Sequence, residues 1–255
     1  MKSLTRFITE SIDKQPKTKE ELQDMLLDML NKGITNFNSI DVSKITNMTL
    51  LFSMPEFEKV EFDVSEWDVS NVTNMSEMFA WCERFNCDLS KWDVSHVTNM
   101  WNMFHGCTEF NGDISTWDVS HVKIFSEMFY DCKNFNQDIS KWDVSSAKMM
   151  DSMFNGCSKF NCDLSKWDVS HVEDMQKMFK GCNSFNQDIS EWNVEKVEYM
   201  DSMFDNCTSF NQDISKWDVN FLHFTQNIFR NCKALKSLPS WMSMFDEKSG
   251  NRIED

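Results

Sequence analysis

The 255-residue chain has few of the residues that bend a backbone, with six Gly and three Pro, and only two Tyr. So little Gly and Pro excludes a collagen-like or linker-rich chain. Positive charge is also short: 25 Lys and Arg stand against 41 Asp and Glu, a formal net charge of −16. That balance argues against nucleic acid as a partner, because phosphate backbones are held by clustered Lys and Arg. Residues 1–36 carry six basic and six acidic groups, so the whole deficit lies downstream. No segment is apolar for 18 residues, and the opening MKSLTRFITESIDKQPKTKE has no unbroken apolar run of the kind a signal peptide carries. The expectation is a cytoplasmic chain with no membrane span, a surface or virion location being the alternative.

What is abundant is Phe (22), Met (19), Trp (10) and Cys (9), and these residues are periodic. The decapeptide FNQDISKWDV occurs twice verbatim, at Phe135–Val144 and Phe210–Val219. Trp67, Trp92, Trp117, Trp142, Trp167, Trp192 and Trp217 follow one another every 25 residues, inside the pattern F-N-x-D-[IL]-S-x-W-D-V-S-x-V-x-x-M-x-x-M-F-x-x-C. A degenerate copy at Ile40–Phe52 precedes the seven, with a two-residue insertion before Trp67, and a truncated one, LKSLPSW, follows at Leu235–Trp241. A period of this length marks a solenoid.

Within one unit, Val97, Met100, Met103, Phe104 and Cys107 are spaced for one face of a helix beginning at an N-cap Ser95. Ser170 and Glu173 read as a capping box. Gly106, Gly156, Gly181, Asn206 and Asn231 stand where a left-handed helix terminus would want them. The other half, F-N-x-D-I-S-x-W-D-V, reads as a short strand or two. The expected fold is therefore an α/β repeat solenoid, a stack of 25-residue strand-turn-helix coils spaced about 4.8 Å apart along the strands. Caps are expected at both ends. Residues 1–36 supply a leader and a helix opened by Thr18 and Glu21, with Leu22, Met25, Leu26, Met29 and Leu30 on its apolar stripe and Gly33 at its end. Residues 37–234 form the solenoid, and residues 235–255 a C-terminal cap followed by a disordered polar tail.

The unit Asp68–Met100, DVSNVTNMSEMFAWCERFNCDLSKWDVSHVTNM, resembles the BspA-type leucine-rich repeat (DUF285), known from bacterial surface proteins, mycoplasmas and phages. The resemblance covers roughly residues 37–245. It implies a leucine-rich-repeat-like solenoid and a role in adhesion or protein binding. The leader KSLTRFITESI is similar to short openings of proteins from gut bacteria and their phages. The secreted members are expected to open on a signal peptide and to carry a wall anchor, and the opening residues do not read as such a peptide.

Each periodic column admits a functional and a structural reading. Thirteen Asp fall in two columns, Asp63 to Asp213 and Asp68 to Asp218, the second interrupted by Asn193. Oxygen ligands between coils suit Ca²⁺, but calcium-binding β-rolls are Gly-rich, and the expectation is that each Asp caps a turn amide. The Trp column would serve sugars if exposed; its apolar neighbours place it in the core. The Asn column, Asn86 to Asn211, reads as a buried hydrogen-bond ladder. Seven Cys at the 25-residue step, with Cys87 and Cys162 extra, lack the paired spacing of a zinc site and read as free buried thiols in a reducing compartment. No metal, cofactor or catalytic constellation is expected.

The leading function is then a non-enzymatic, acidic, protein-binding scaffold of phage or bacterial origin whose partner has a basic surface. The alternative is a surface or virion adhesin binding cells or glycans. Candidate partner-binding residues are the positions before each Trp, namely Lys91, Thr116, Lys141, Lys166, Glu191 and Lys216. His96, His121 and His171, four residues after a Trp, complete the set.

Overall fold

The computed structural model describes residues 15–246 and 248–253. It is a repeat solenoid: residues 25 apart in sequence stand beside one another in space, and one apolar core runs unbroken from Leu22 to Phe245. The leader at residues 2–12 lies outside the described residues.

The helix expected in every coil is not formed. Among the described residues there is one α-helix, α1 (Lys19–Asn31), and one short 3-10 turn, Ser240–Met244. Two left-handed residues per coil break the helical path. One lies ten positions after the Trp (Glu77, Asn102, Glu127, Ser152, Lys177, Ser202, Asn227) and one fourteen after it (Trp81, Gly106, Asp131, Gly156, Gly181, Asn206, Asn231), all with φ between 54° and 81°. Alternate amides then point out of the coil: those of Met100, Asn102, Phe104 and Gly106 donate to the carbonyls of Ile124, Ser126, Met128 and Tyr130 in the next coil, at 3.0, 3.0, 2.9 and 2.7 Å. The amides between them turn back three residues, as in Met103 to Met100, His105 to Asn102 and Cys107 to Phe104. Every amide along this stretch is satisfied, half by the neighbouring coil, and an α-helix would have offered the neighbour nothing.

The strand is also displaced. A column of isolated parallel bridges runs Asn47, Asn74, Asn99, Ile124, Met149, Asp174, Tyr199, Phe224, inside the segment expected to be helical. The F-N-x-D-I-S-x-W-D-V half is a succession of bends. The Ser95 amide is bonded by Asp93, so Ser95 caps no helix, and Glu173 takes the Lys148 ammonium instead of closing a capping box.

The columns fill the interior. The indole Nε1–H of Trp92, Trp117, Trp142, Trp167, Trp192 and Trp217 each donates to a carbonyl of the previous coil at 2.9–3.1 Å, so these large rings are buried with no orphan donor. Equivalent rings are related by the coil-to-coil step, so their spacing measures that step. It is 5.5–5.8 Å at the Phe79–Phe104 and Phe154–Phe179 pairs and 6.2–6.5 Å at the Trp117–Trp142, Trp192–Trp217 and Trp217–Trp241 pairs. The Trp rings thus stand further apart than these Phe rings; we call the side of the bridge column inner and the side of the Trp column outer.

Both ends are closed. α1 buries Leu22 and Leu26, with Met25, Met29 and Leu30 packed beside them, and Thr18 Oγ1 accepts from the Glu21 amide. The Glu21 carboxylate takes the Lys17 amide rather than that of Thr18. Lys19 Nζ and Gln23 Nε2 cover the outward carbonyls of Thr49, Leu50 and Leu51. Gly33 (φ +75°) ends the helix, its amide on Leu30 and that of Ile34 on Met29. At the other end the described residues of the tail, 246 and 248–253, pack onto the last coil where disorder was expected. Phe245 and Arg252 form an antiparallel bridge, and the Gly250 carbonyl accepts the Thr225 amide at 2.9 Å, the place a further coil would occupy. Without that contact the last coil would expose an unpaired backbone edge.

Candidate functional site

The Asp columns are turn caps. The Oδ1 atoms of Asp88, Asp113, Asp138, Asp163, Asp188 and Asp213 each accept the amide two residues on, at 2.9–3.0 Å. Those of Asp68, Asp93, Asp118, Asp143, Asp168 and Asp218 do the same at 3.0–3.1 Å. Asn193 takes the Glu195 amide in the same way, which explains why Asn stands there without a break in the stack. Bonds from Ser120 hold the Asp118 carboxyl below the usual carboxylate range.

The Asn column is a ladder but not a buried one. The amides of Asn111, Asn136, Asn161, Asn186 and Asn211 donate to the side-chain oxygen of the Asn one coil earlier at 2.8–2.9 Å. The side chains themselves are exposed or half-buried, because Phe on one side and Leu or Ile further on already fill the interior. Each periodic thiol from Cys107 to Cys232 donates to a Phe carbonyl of the preceding coil at 2.8–3.0 Å, and burial pushes the Cys82 thiol up to about 12. Cys87 and Cys162 are half-buried, and all nine cysteines are free. A groove of about 830 Å³ lies where the two-residue insertion falls, lined by Glu61, Asp63, Arg84, Cys87 and Asp88 among others. Its thiol, Cys87, sits 3.4 Å from an Asp63 oxygen and is also raised to about 12, mainly by burial, which leaves it a structural group rather than a nucleophile.

All nine candidate partner-binding residues are exposed. Lys91, Thr116, Lys141, Lys166, Glu191 and Lys216 lie next to the Trp column on the outer side, and several are already engaged along the stack. Lys91 pairs with Glu66, Lys216 Nζ with Glu191 at 2.9 Å, and Thr116 Oγ1 with the Ser90 carbonyl at 2.7 Å. His96, His121 and His171 stand at the corner before the bridge column, and each ring nitrogen lies 3.3–3.4 Å from the neighbouring Ser hydroxyl.

The bridge side carries a second variable surface that the sequence reading assigned to helices. Seven residues after the Trp the chain reads Asn74, Asn99, Ile124, Met149, Asp174, Tyr199, Phe224; nine after, Ser76, Trp101, Ser126, Asp151, Gln176, Asp201, Gln226; thirteen after, Ala80, His105, Tyr130, Asn155, Lys180, Asp205, Arg230. No two consecutive coils repeat a residue in the last two columns. The signal was therefore available in the sequence in the last of these columns, which carries a different residue in each of the seven coils. Towards the N-terminal end this face is aromatic, with Trp81 57 % and Trp101 39 % exposed. Further along, burial together with Asp151 and Asp201 lifts the Asp174 carboxyl to about 6, against the pull of the Gln176 amide. Asp205, fully buried, is neutralised by Arg230, whose Nε stands 2.9 Å away, and by Lys180 at 3.8 Å.

A filled, turn-built solenoid with an invariant interior and one variable inner face defines a repeat protein of the solenoid class. The family whose description reads "Mycoplasma protein of unknown function, DUF285" matches at residues 20–140, 46–164 and 123–242, and the chain belongs to that family. This is the family of the BspA-type leucine-rich repeat that the 25-residue unit resembles. No curated protein matches the sequence. Among solved structures, the T. pallidum leucine-rich repeat protein TpLRR is 12 % identical, with 71 % of this chain and 80 % of that one covered and a TM-score of 0.36. A TLR13–ssRNA13 complex is 8 % identical over 86 % of this chain and 51 % of its own, with a TM-score of 0.20. Superpositions at that level carry no argument about function. Among the described residues no helix is long and apolar enough to cross a membrane.

Proposed function

We propose that the protein is a non-enzymatic, protein-binding scaffold, acting in a reducing cytoplasm, whose inner, bridge-side face holds a partner with a basic surface. The observation that carries this reading is the division of labour among columns. Interior columns, among them those eight and fifteen residues after the Trp, repeat coil after coil, whereas the columns seven, nine, ten, thirteen and fourteen after it vary and are for the most part half-buried or exposed. His96, His121 and His171 form the margin of that face, and Lys91, Thr116, Lys141, Lys166, Glu191 and Lys216 give a secondary, outer contact. The excess of 16 negative charges favours a basic partner and faster association at low salt. Residues 1–36 and 235–255 serve as the two caps of a binding unit spanning 37–234. Exposed Trp81 and Trp101 favour a second reading, a surface or virion adhesin stacking its aromatics on sugars.

Affinity capture of the tagged protein from lysate of its native or host cell, at low and high salt, separates the two. The scaffold reading predicts one stoichiometric protein that is lost as salt rises. Binding to intact cells or isolated glycans with no captured protein would overturn it in favour of the adhesin.

A further inference from the structure

Trp81 occupies a position that the rest of the stack reserves for small or locally hydrogen-bonding residues. Its φ is +68°, and the equivalent residues are Gly106, Asp131, Gly156, Gly181, Asn206 and Asn231. A bulky side chain in the left-handed region is a local cost, and such outliers gather at functional positions. The Trp81 ring lies against Gly106, where an added Cβ would stand 2.7 Å from ring carbon Cε3. It meets His105 at a tilt of 58° with centroids 4.7 Å apart, and His105 lies face to face on Tyr130 at 4.4 Å and 1°. The result is a solvent-facing aromatic step across three coils.

The charge around it is of one sign. Glu77, Glu127 and Asp131 all act on the His105 imidazole, and Glu127 touches its Nδ1 at 3.2 Å. Among the described residues no Lys or Arg pairs with any of the three carboxylates. Four coils along the same column the chain supplies the missing group itself: Arg230 grips Asp205 through Nε and Nη2.

We infer that the Trp81–His105–Tyr130 step, ringed by Glu77, Glu127 and Asp131, receives the guanidinium of an arginine in a basic segment of the protein partner. This rests on the protein-binding reading and specifies its chemistry. Arginine fits better than lysine because a planar, weakly hydrated cation stacks on an aromatic face while its N–H groups reach flanking carboxylates.

The test titrates a capped Gly-Arg-Gly-Arg-Gly peptide, and its citrulline and lysine counterparts, into the full chain, with the exposed indole N–H of Trp81 as the nuclear magnetic resonance reporter. The arginine peptide binds most tightly and shifts that indole. Trp81→Gly weakens it by about 3- to 30-fold, the range expected for loss of a cation–π contact. Glu77→Gln with Glu127→Gln weakens it further, and Glu195→Gln, at an exposed carboxylate outside the site, leaves it unchanged. Trp81→Gly also melts no lower than the wild type, because Gly adopts the left-handed conformation freely. Equal binding of the citrulline peptide, or oligosaccharide binding at Trp81 with none of the peptide, overturns the inference. So does loss that tracks total charge at any site, or a lower melting point for Trp81→Gly, which would make Trp81 a packing residue. In the charge-tracking case the basic-partner reading stands while the arginine site falls.

Discussion

Asp118 and Asp174 each accept one turn amide, yet their carboxyls are driven in opposite directions. Asp118 is solvated and doubly bonded by Ser120, so its folded pKa lies below the unfolded one. It stabilises the fold above an unfolded value of about 3.9, and that contribution is lost as pH falls through the folded pKa. Asp174 is pressed by burial and by Asp151 and Asp201 to about 6. Its ionised form is disfavoured in the folded state, a cost absent below about pH 4 and complete above pH 6. Asp174→Asn, which keeps the side-chain oxygen for the Gln176 amide, should therefore melt higher than the wild type at pH 7, with the advantage gone below pH 4. Melting curves of both proteins at pH 3.5 and pH 7 check this, and a lower melting point at pH 7 would mean that the carboxylate is needed there. The Asp118 type of environment was legible in the sequence, since a D-x-S turn is local chemistry. That of Asp174 was not, because it depends on carboxylates of two other coils.

At the scale of the element, the inward residues were readable and their path was not. Val97, Met100, Met103, Phe104 and Cys107 are all buried, as a helical face would require, but three-residue turns bury the same spacing. The deciding residues are those ten positions after the Trp, where Glu, Asn, Ser and Lys adopt positive φ without any glycine to advertise it. Their gain is an inter-coil backbone bond, such as Glu77 to Trp101 at 2.8 Å, which no single unit of sequence displays. The far-UV circular dichroism should accordingly report about one thirteen-residue helix in the described chain. A spectrum with a helix in each of seven coils would contradict the turn-built coil. The N-terminal cap was legible down to its first and last residues, Thr18 and Gly33, because caps are written in adjacent residues. The C-terminal tail was misjudged because its polar composition suits disorder, whereas its order comes from the unpaired amide of Thr225.

At the scale of the molecule, stacked coils make a body whose stability is built neighbour by neighbour and whose two sides do different work. The outer side carries the Trp ladder, and its Lys and Glu residues pair with one another along the stack. The inner side presents the residues that change most between coils. The repeat, the core columns and the acidic balance could all be read from the sequence. Which variable columns share a face could not, since that depends on where the bridge falls.

The most direct test of this division compares two variants matched in melting temperature for capture of the cellular partner. One carries Trp101→Ala, Lys148→Ala and Tyr199→Ala on the inner face, and the other carries Lys91→Ala, Lys141→Ala and Lys166→Ala on the outer. The account predicts that the inner-face variant loses the partner by about tenfold or more, a change on the order of 1.4 kcal/mol, while the outer-face variant, missing only the secondary contact, weakens it by about threefold or less. Loss from the outer-face variant with retention by the inner would contradict it.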